Sequence, residues 1–182
     1  LNQGKKLSQD TSIYQTVGNH GLTALFNFDL SNNKQIIVKT AISSVSIANA
    51  KQNLLADGLN KSFAHYQQQA QKKWHTALSA VKIKADPDNM VQFYTAMYHS
   101  YLAPRVFSDS NGQYKGPDGN IHQVHNRKRY SFFSLWDTFR ALHPWKTITD
   151  VQRSKEMMLS LMDHYQVYGL LPVWNFQGNE TD

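Results

Sequence analysis

Two different hydrophobic periods divide the chain. Over residues 22–47, apolar and polar residues alternate in two runs, and the pair Asn32 and Asn33 between the runs is typical of a turn. This alternation predicts β-strands. The phase of the alternation shifts at Ser43 and Ser44, which predicts a β-bulge or the end of the strand.

Beyond this point the period becomes helical. Apolar residues recur at helical spacing over residues 63–81, and Gly58 separates this helix from a shorter one before it. A further helix begins with Asp86 as N-cap and Pro87 at the first helical position, and Pro104 stops it. The order of strands followed by helices predicts a mixed architecture.

The central part of the chain is polar and irregular. Turn signals within residues 105–130 predict an excursion between helices, for which a β-hairpin is one solution. After the excursion, we expect Ser131 to cap a helix that extends to Leu142 and is ended by Pro144.

The last predicted helix begins at a capping box formed by Thr149 and Gln152, and Gly169 is a good C-terminal stop. Residues 170–182 are rich in apolar and aromatic groups, whereas a chain end is normally polar and frayed. The sequence also opens with Leu1. We therefore expect the natural polypeptide to extend further at both ends.

Composition narrows the chemistry. The 182 residues include no cysteine, which excludes disulfides, thiolate metal sites and cysteine nucleophiles. The formal net charge is +6, but the basic residues are scattered, so we predict a solvated surface and no nucleic-acid partner. No apolar run is long enough to span a membrane, and no signal peptide is visible.

The densest set of functional groups lies in residues 134–140. Trp136 and Arg140 are four positions apart and would share one face of a helix, and Asp137 lies three positions before Arg140. A carboxylate, a guanidinium and an indole together suit a sugar site. The alternative, favoured by local spacing alone, is a capped helix with an Asp137–Arg140 ion pair and a core tryptophan.

A second candidate region combines residues 169–174, which end in Trp174, with Asn179 and Glu180. Pro172 and Gly178 indicate a loop between helices, where binding sites usually lie, and Glu180 is a candidate binding carboxylate.

Signals for a metal site are weak. His122 and His125 lie three apart without accompanying carboxylates, so we predict a solvated pair. Asp109 opens a short Asp-Ser-Asn-Gly stretch that lacks the glutamate of a calcium loop, and we predict a turn.

Taken in order, these pieces resemble glycoside hydrolase family 92, the calcium-dependent exo-acting α-mannosidases. The residues that carry the resemblance are 42–46, Ala50, Asn53, Leu54, Trp74, 93–100, Pro104, Gly112, Tyr114, Gly116, Tyr130, 134–140, 169–174 and 178–181.

The resemblance implies a fold and a division of the chain. Residues 1–48 would be the end of an N-terminal β-sandwich, residues 49–84 a helical linker, and residues 85–182 the first helices of an (α/α)6 barrel catalytic domain. The chain would then be a part of the enzyme.

The resemblance also implies an activity: removal of terminal α-linked mannose from glycans with inversion, assisted by calcium, in the periplasm or outside the cell. The implied sugar-binding residues are Trp136, Asp137, Arg140, Trp174, Asn179 and Glu180. We expect the catalytic acid and base and the calcium ligands to lie beyond residue 182. The partners would be mannose-containing glycans and the remainder of the polypeptide.

Two other functions remain open. Another (α/α)6 glycosidase would share the aromatic helices and the Trp-Asp motif. A non-catalytic carbohydrate-binding module of this length would bind sugar without hydrolysis.

Overall fold

The structure is a computed structural model that describes residues 35–181. The chain forms two compact units, Leu1–Val38 and Lys39–Asp182. In the first unit only residues 35–38 are described, and they form neither helix nor strand.

The second unit contains six helices and six short strands among its described residues. The helices are α1 (Ile47–Ala56), α2 (Phe63–Leu78), α3 (Pro87–His99), α4 (Leu135–Thr138), α5 (Leu142–Thr149) and α6 (Val151–Tyr168). The strands are β1 (Arg105–Val106), β2 (Gln113–Lys115), β3 (Ile121–Gln123), β4 (Tyr130–Ser131), β5 (Asn175–Phe176) and β6 (Asn179–Glu180). They pair antiparallel as β1–β4, β2–β3 and β5–β6.

Several helix ends lie where the sequence predicts them. Asp86 accepts a hydrogen bond from the Asn89 amide at the start of α3, and Pro87 is the first helical residue. Gly169 ends α6 with a φ of 87°, a left-handed conformation that glycine adopts without a steric penalty. The predicted separation of α1 and α2 is also confirmed, with Gly58 between them.

The strand prediction is wrong for its described part. Residues 35–46 form no strand, and residues 22–34 lie outside the described range. Ile37, Val38 and Ile42 are 64%, 71% and 89% exposed. A strand needs a hydrogen-bonding partner, and none of the described strands pairs with this segment.

The helix predicted from Ser131 to Leu142 is also wrong. Ser131 belongs to β4 and is fully buried, so its hydroxyl does not cap a helix. Pro144 lies in the first turn of α5, where its missing N–H removes no helical hydrogen bond.

The last helix, α6, begins one residue later than the predicted capping box. Asp150 caps α6 by accepting from the Arg153 amide, while the Thr149 hydroxyl donates to the Trp145 carbonyl. The N-cap of α6 is therefore Asp150, the residue after the predicted Thr149.

The hydrophobic core lies between α6 and the chain that runs from β4 into α4. Tyr130, Phe133, Met157 and Leu161 are buried together, and Leu135 packs against them. Around this core, α5 packs on α6, and α2 contacts α3 through the Trp74 and Tyr98 rings, whose centroids are 4.5 Å apart. The core therefore supports the segment that contains residues 134–140.

One cation is buried without a hydrogen-bond partner in the described part of the chain. Lys146 of α5 is 0% exposed, and its Nζ lies 2.9 Å from the ring centroid of Tyr101. Burial, helped by the positive charge of Arg153, lowers the pKa of Lys146 to about 8, while Asp150 acts in the opposite direction.

The hairpin β2–β3 requires glycine at one position. Gly112 has a φ of 85°, and a Cβ there would lie 2.2 Å from the Val124 carbonyl oxygen. Beside it, Asp109 accepts hydrogen bonds from Ser43, Asn49 and Asn53 at 2.6–2.8 Å. The loop at Asp109 is therefore a turn, as predicted, and its buried carboxylate fastens the hairpin to α1.

Candidate carbohydrate-binding site

The structure brings the two candidate segments of the sequence together. The Phe133 amide donates to the Asn175 carbonyl at 2.9 Å, and the Leu135 amide donates to the Val173 carbonyl at 3.1 Å. These two backbone hydrogen bonds place the start of α4 beside the loop that contains Trp174.

A small open cavity of about 220 Å³ lies at this junction. Trp174, which is 37% exposed, lines it together with Ser134, the N-cap residue of α4. The predicted sugar-binding residues Trp136, Asp137 and Arg140 do not line it. The lining residues are Phe132, Phe133, Ser134, Trp174, Asn175, Phe176 and Thr181. The cavity is thus walled by aromatic rings and edged by hydroxyl and amide groups, a combination that suits a sugar ring.

The carboxylate of Asp137 is held by the residue that precedes α4. The Ser134 hydroxyl donates to Oδ2 of Asp137 at 2.6 Å, and the Asp137 amide donates to the Ser134 carbonyl at 3.1 Å. No ion pair joins Asp137 to Arg140 in the described part of the chain, so the alternative prediction of such a pair is wrong. The side chain of Asp137 is exposed.

The shared helix face predicted for Trp136 and Arg140 is not formed. Because α4 ends at Thr138, Arg140 lies outside the helix, and its guanidinium stands over the Phe139 ring at 5.4 Å. Trp136 is 67% exposed, so it is not the core tryptophan of the alternative prediction.

Glu180 and Asn179 occupy different surroundings. The carboxylate of Glu180 accepts hydrogen bonds from the backbone amides of Val173, Trp174 and Thr181 at 2.7, 2.9 and 3.1 Å. Asn179 lines a larger open groove of about 1260 Å³ and does not line the small cavity. The predicted sugar-binding roles of both residues stay predictions.

A buried polar network beneath the cavity escaped the sequence analysis. The Ser131 hydroxyl donates to Oδ1 of Asn175 at 2.7 Å and accepts from the Gly178 amide at 3.0 Å. Nδ2 of Asn175 donates to Nδ1 of His164 at 3.2 Å and to the Asn179 carbonyl at 3.3 Å. The partners come from β4, α6 and the β5–β6 turn, so no local sequence signal could have joined them.

The imidazole of this network is buried. His164 is 0% exposed, and burial, together with the nearby charge of Arg129, lowers its pKa. With Nδ1 accepting from Asn175, the ring proton resides on Nε2.

Two phenylalanines near the cavity were also missed. Phe132 has a φ of 69°, which is unusual for a residue with a bulky side chain. Its ring packs edge-on against Phe176 at 4.7 Å, and the Arg105 guanidinium lies 5.3 Å from it. Non-glycine residues with positive φ are costly and cluster at functional sites, where the surrounding structure holds them in place.

The described residues do not supply a calcium site. Within residues 35–181, no three His, Cys, Asp or Glu side chains come together in a way that could hold a metal. His122 bonds the carboxylate of Asp118 at 2.9 Å. Asp109 is occupied by its amide and hydroxyl donors.

Comparison with known proteins identifies the family. A sequence model described as the glycosyl hydrolase family 92 catalytic domain matches residues 49–182. The chain belongs to glycoside hydrolase family 92. No curated protein sequence matches the chain significantly.

Solved structures of family 92 resemble the chain. The GH92 alpha-mannosidase BT3965 from Bacteroides thetaiotaomicron matches 76% of the chain at 36% identity with a TM-score of 0.72. A structure of BT3965 in complex with mannoimidazole matches with the same identity and TM-score. The GH92 glycosyl hydrolase ccman5 matches 68% of the chain at 26% identity with a TM-score of 0.63. The chain spans 19%, 18% and 17% of these three chains.

The region that matches the family model contains both segments of the candidate site, residues 134–140 and 169–181. In the part of the chain that the structure describes, no helix is both long and apolar enough to cross a membrane.

Proposed function

We propose that this protein is an exo-acting α-mannosidase that removes terminal α-linked mannose from glycans. Family membership supports a glycosidase, and the name of the 36% identical relative supports mannose as the sugar. The observation that carries the proposal is the backbone junction that places Trp174 and Ser134 at one cavity, with Asp137 bonded to the Ser134 hydroxyl beside it.

Recognition of the terminal mannose would begin with Asp137. Because Ser134 holds Oδ2, the carboxylate keeps a defined orientation in which Oδ1 accepts from sugar hydroxyls. Hydrogen bonds to a charged group contribute about 1.5–3 kcal/mol each, so a sugar with the wrong hydroxyl orientation binds poorly. The Trp174 indole offers an apolar face to the C–H side of the ring.

Two further residues would complete the rim of this pocket. Trp136 and Arg140 are exposed on either side of Asp137 in sequence, so both side chains are accessible to a ligand. The guanidinium can donate to ring and hydroxyl oxygens, while the indole shields the bound sugar from water.

Hydrolysis would follow a single displacement. In that mechanism one carboxylic acid protonates the leaving oxygen and a separate carboxylate activates water, which inverts the anomeric centre. We assign neither role to a residue described here. The proposed calcium requirement rests on the family resemblance, and since the described residues do not fit a calcium site, we derive no step through the ion.

A panel of aryl glycosides tests the proposal on the natural protein that carries this sequence. We expect release from α-mannosides and none from α-glucosides, with β-mannose as the first product in the NMR spectrum. Preferred cleavage of α-glucosides would indicate another (α/α)6 glycosidase. Mannose binding without turnover would indicate a carbohydrate-binding module.

The architecture and location implied by the resemblance belong to the same proposal. Residues 1–48 would complete a β-sandwich, residues 49–84 a linker and residues 85–182 part of an (α/α)6 barrel. An experimental structure of the natural protein would test these boundaries, and cell fractionation would test a periplasmic or secreted location.

A further inference from the structure

We propose that Glu180 is a positioning residue, which fixes the backbone on either side of Trp174 so that the indole lines the cavity beside Ser134. This inference rests on the proposed function, because it assigns Glu180 to the same sugar site. The sequence suggests that Glu180 contacts the sugar directly. In this inference Glu180 acts on the sugar site through Trp174.

The geometry around the carboxylate carries this inference. Oε2 accepts from the Val173 amide at 2.7 Å, and Oε1 accepts from the Trp174 amide at 2.9 Å. Oε1 also accepts from the Thr181 amide at 3.1 Å. Two of these three donors belong to consecutive residues, so the carboxylate spans the peptide group that leads into Trp174.

The other side of Trp174 is fastened by the next residue along. The Thr181 hydroxyl and amide donate to the Trp174 carbonyl at 2.8 and 3.2 Å. Both polar groups of the Trp174 backbone are therefore held by residues 180 and 181. The flanking Val173 and Asn175 carbonyls are held by Leu135 and Phe133, so residues 173–175 are fixed from two directions.

A carboxylate suits this position better than its amide analogue. An ionised glutamate is an acceptor only, with about four lone-pair sites on its two oxygens. In a Glu180→Gln variant, an NH₂ group would replace one oxygen and would face a backbone N–H, which also donates. The hydrogen bond from either the Val173 amide or the Trp174 amide is then lost, while the length and shape of the side chain are kept.

A double-mutant cycle tests the inference in the natural protein. We measure kcat/KM on an aryl α-mannoside for wild type, Glu180→Gln, Trp174→Ala and the double variant. If Glu180 acts through Trp174, Glu180→Gln lowers kcat/KM by about tenfold in wild type and by less than about twofold in Trp174→Ala. Equal losses in both backgrounds would show that Glu180 acts independently of Trp174, and would overturn the inference.

Hydrogen exchange provides a readout that does not depend on activity. Because glutamine keeps one acceptor oxygen, Glu180→Gln should speed amide exchange by about tenfold or more at Val173 or at Trp174, whichever amide then faces the NH₂ group. Unchanged exchange at these amides would overturn the inference. Faster exchange in a protein that shows no mannosidase activity would support the positioning of Trp174 by Glu180 and would contradict only the proposed function.

Matched variants guard against a general loss of folding. Asp88→Asn makes the same acid-to-amide change at an exposed carboxylate in the first turn of α3, and should leave both readouts unchanged. If Glu180→Gln fails to fold, Thr181→Val removes only the hydroxyl bond to the Trp174 carbonyl. Its kinetic loss should likewise disappear in the Trp174→Ala background, and persistence of that loss would count against the inference.

Discussion

The hydroxyl of Ser134 donates to Oδ2 of Asp137 at 2.6 Å across the first turn of α4. The residue in the N-cap position therefore binds a side-chain carboxylate, and it makes no side-chain bond to the helix amides. Ser134 thereby limits the rotation of Asp137, while Asp137 remains accessible to a ligand.

We predict that Asp137→Asn lowers kcat/KM on α-mannosides by at least about tenfold, because a charged hydrogen bond contributes about 1.5–3 kcal/mol. Folding should survive, since asparagine keeps nearly the same shape. Steady-state kinetics and the melting temperature, measured on the same preparation, check this outcome. A destabilised variant with wild-type kinetics would make Asp137 a structural residue.

Ser134→Ala is the companion variant. It keeps the carboxylate but removes its oriented donor, so we expect a smaller loss of kcat/KM, of about threefold. Steady-state kinetics at several substrate concentrations measure kcat/KM for Ser134→Ala and for Asp137→Asn, so the two losses can be compared. A loss larger than that of Asp137→Asn would mean that Ser134 itself contacts the sugar.

The buried network gives a stability prediction. Ser131→Ala removes the donor to Oδ1 of Asn175 and the acceptor of the Gly178 amide, and leaves both groups buried. Each unsatisfied buried group costs about 1–3 kcal/mol, so we expect about 2 kcal/mol or more of lost stability by urea unfolding. The exposed Ser110→Ala is the control and should change stability by less than about 0.5 kcal/mol. An equal effect of the two variants would contradict this account.

Calcium removal gives a further prediction, which rests on the family resemblance. The natural protein should lose mannosidase activity in a chelator and regain it when calcium is returned. Atomic absorption must confirm that the metal is gone. Full activity in metal-free protein would refute the requirement.

The buried Lys146 should give the folding stability an unusual pH dependence. Its folded pKa of about 8 is below the ordinary value of 10.5, so between these pH values the unfolded chain holds a proton that the folded chain has lost. The contribution of Lys146 therefore makes stability rise with pH across this window, and its destabilising effect is complete below pH 8.

Lys146→Met isolates that contribution. We expect the variant to be more stable than wild type at pH 7, by about 1 kcal/mol or more, because an apolar side chain replaces a buried cation. Lost attraction to the Tyr101 ring offsets part of the gain. The gain should shrink as the pH rises from 8 to 10.5, as measured by the melting temperature. A variant less stable at pH 7 would show that the ring contact outweighs the burial.

The helices show what local sequence can predict. Asp86 and Pro87 start α3 and Gly169 ends α6 as expected, because capping and a left-handed stop depend on residues within one turn. The same locality explains the error at Ser131, whose hydroxyl bonds Asn175 across 44 positions of sequence.

The sequence by itself determined α1, α2, α3 and α6, the turn at Gly112, the family resemblance and the residue types of a sugar site. Only the tertiary structure decided which of those residues meet. The segments of Asp137 and Trp174 lie almost forty positions apart, and the Phe133 and Leu135 amides join them. Such pairings depend on long-range packing and on buried polar groups finding partners, and neither leaves a periodic signal along the chain.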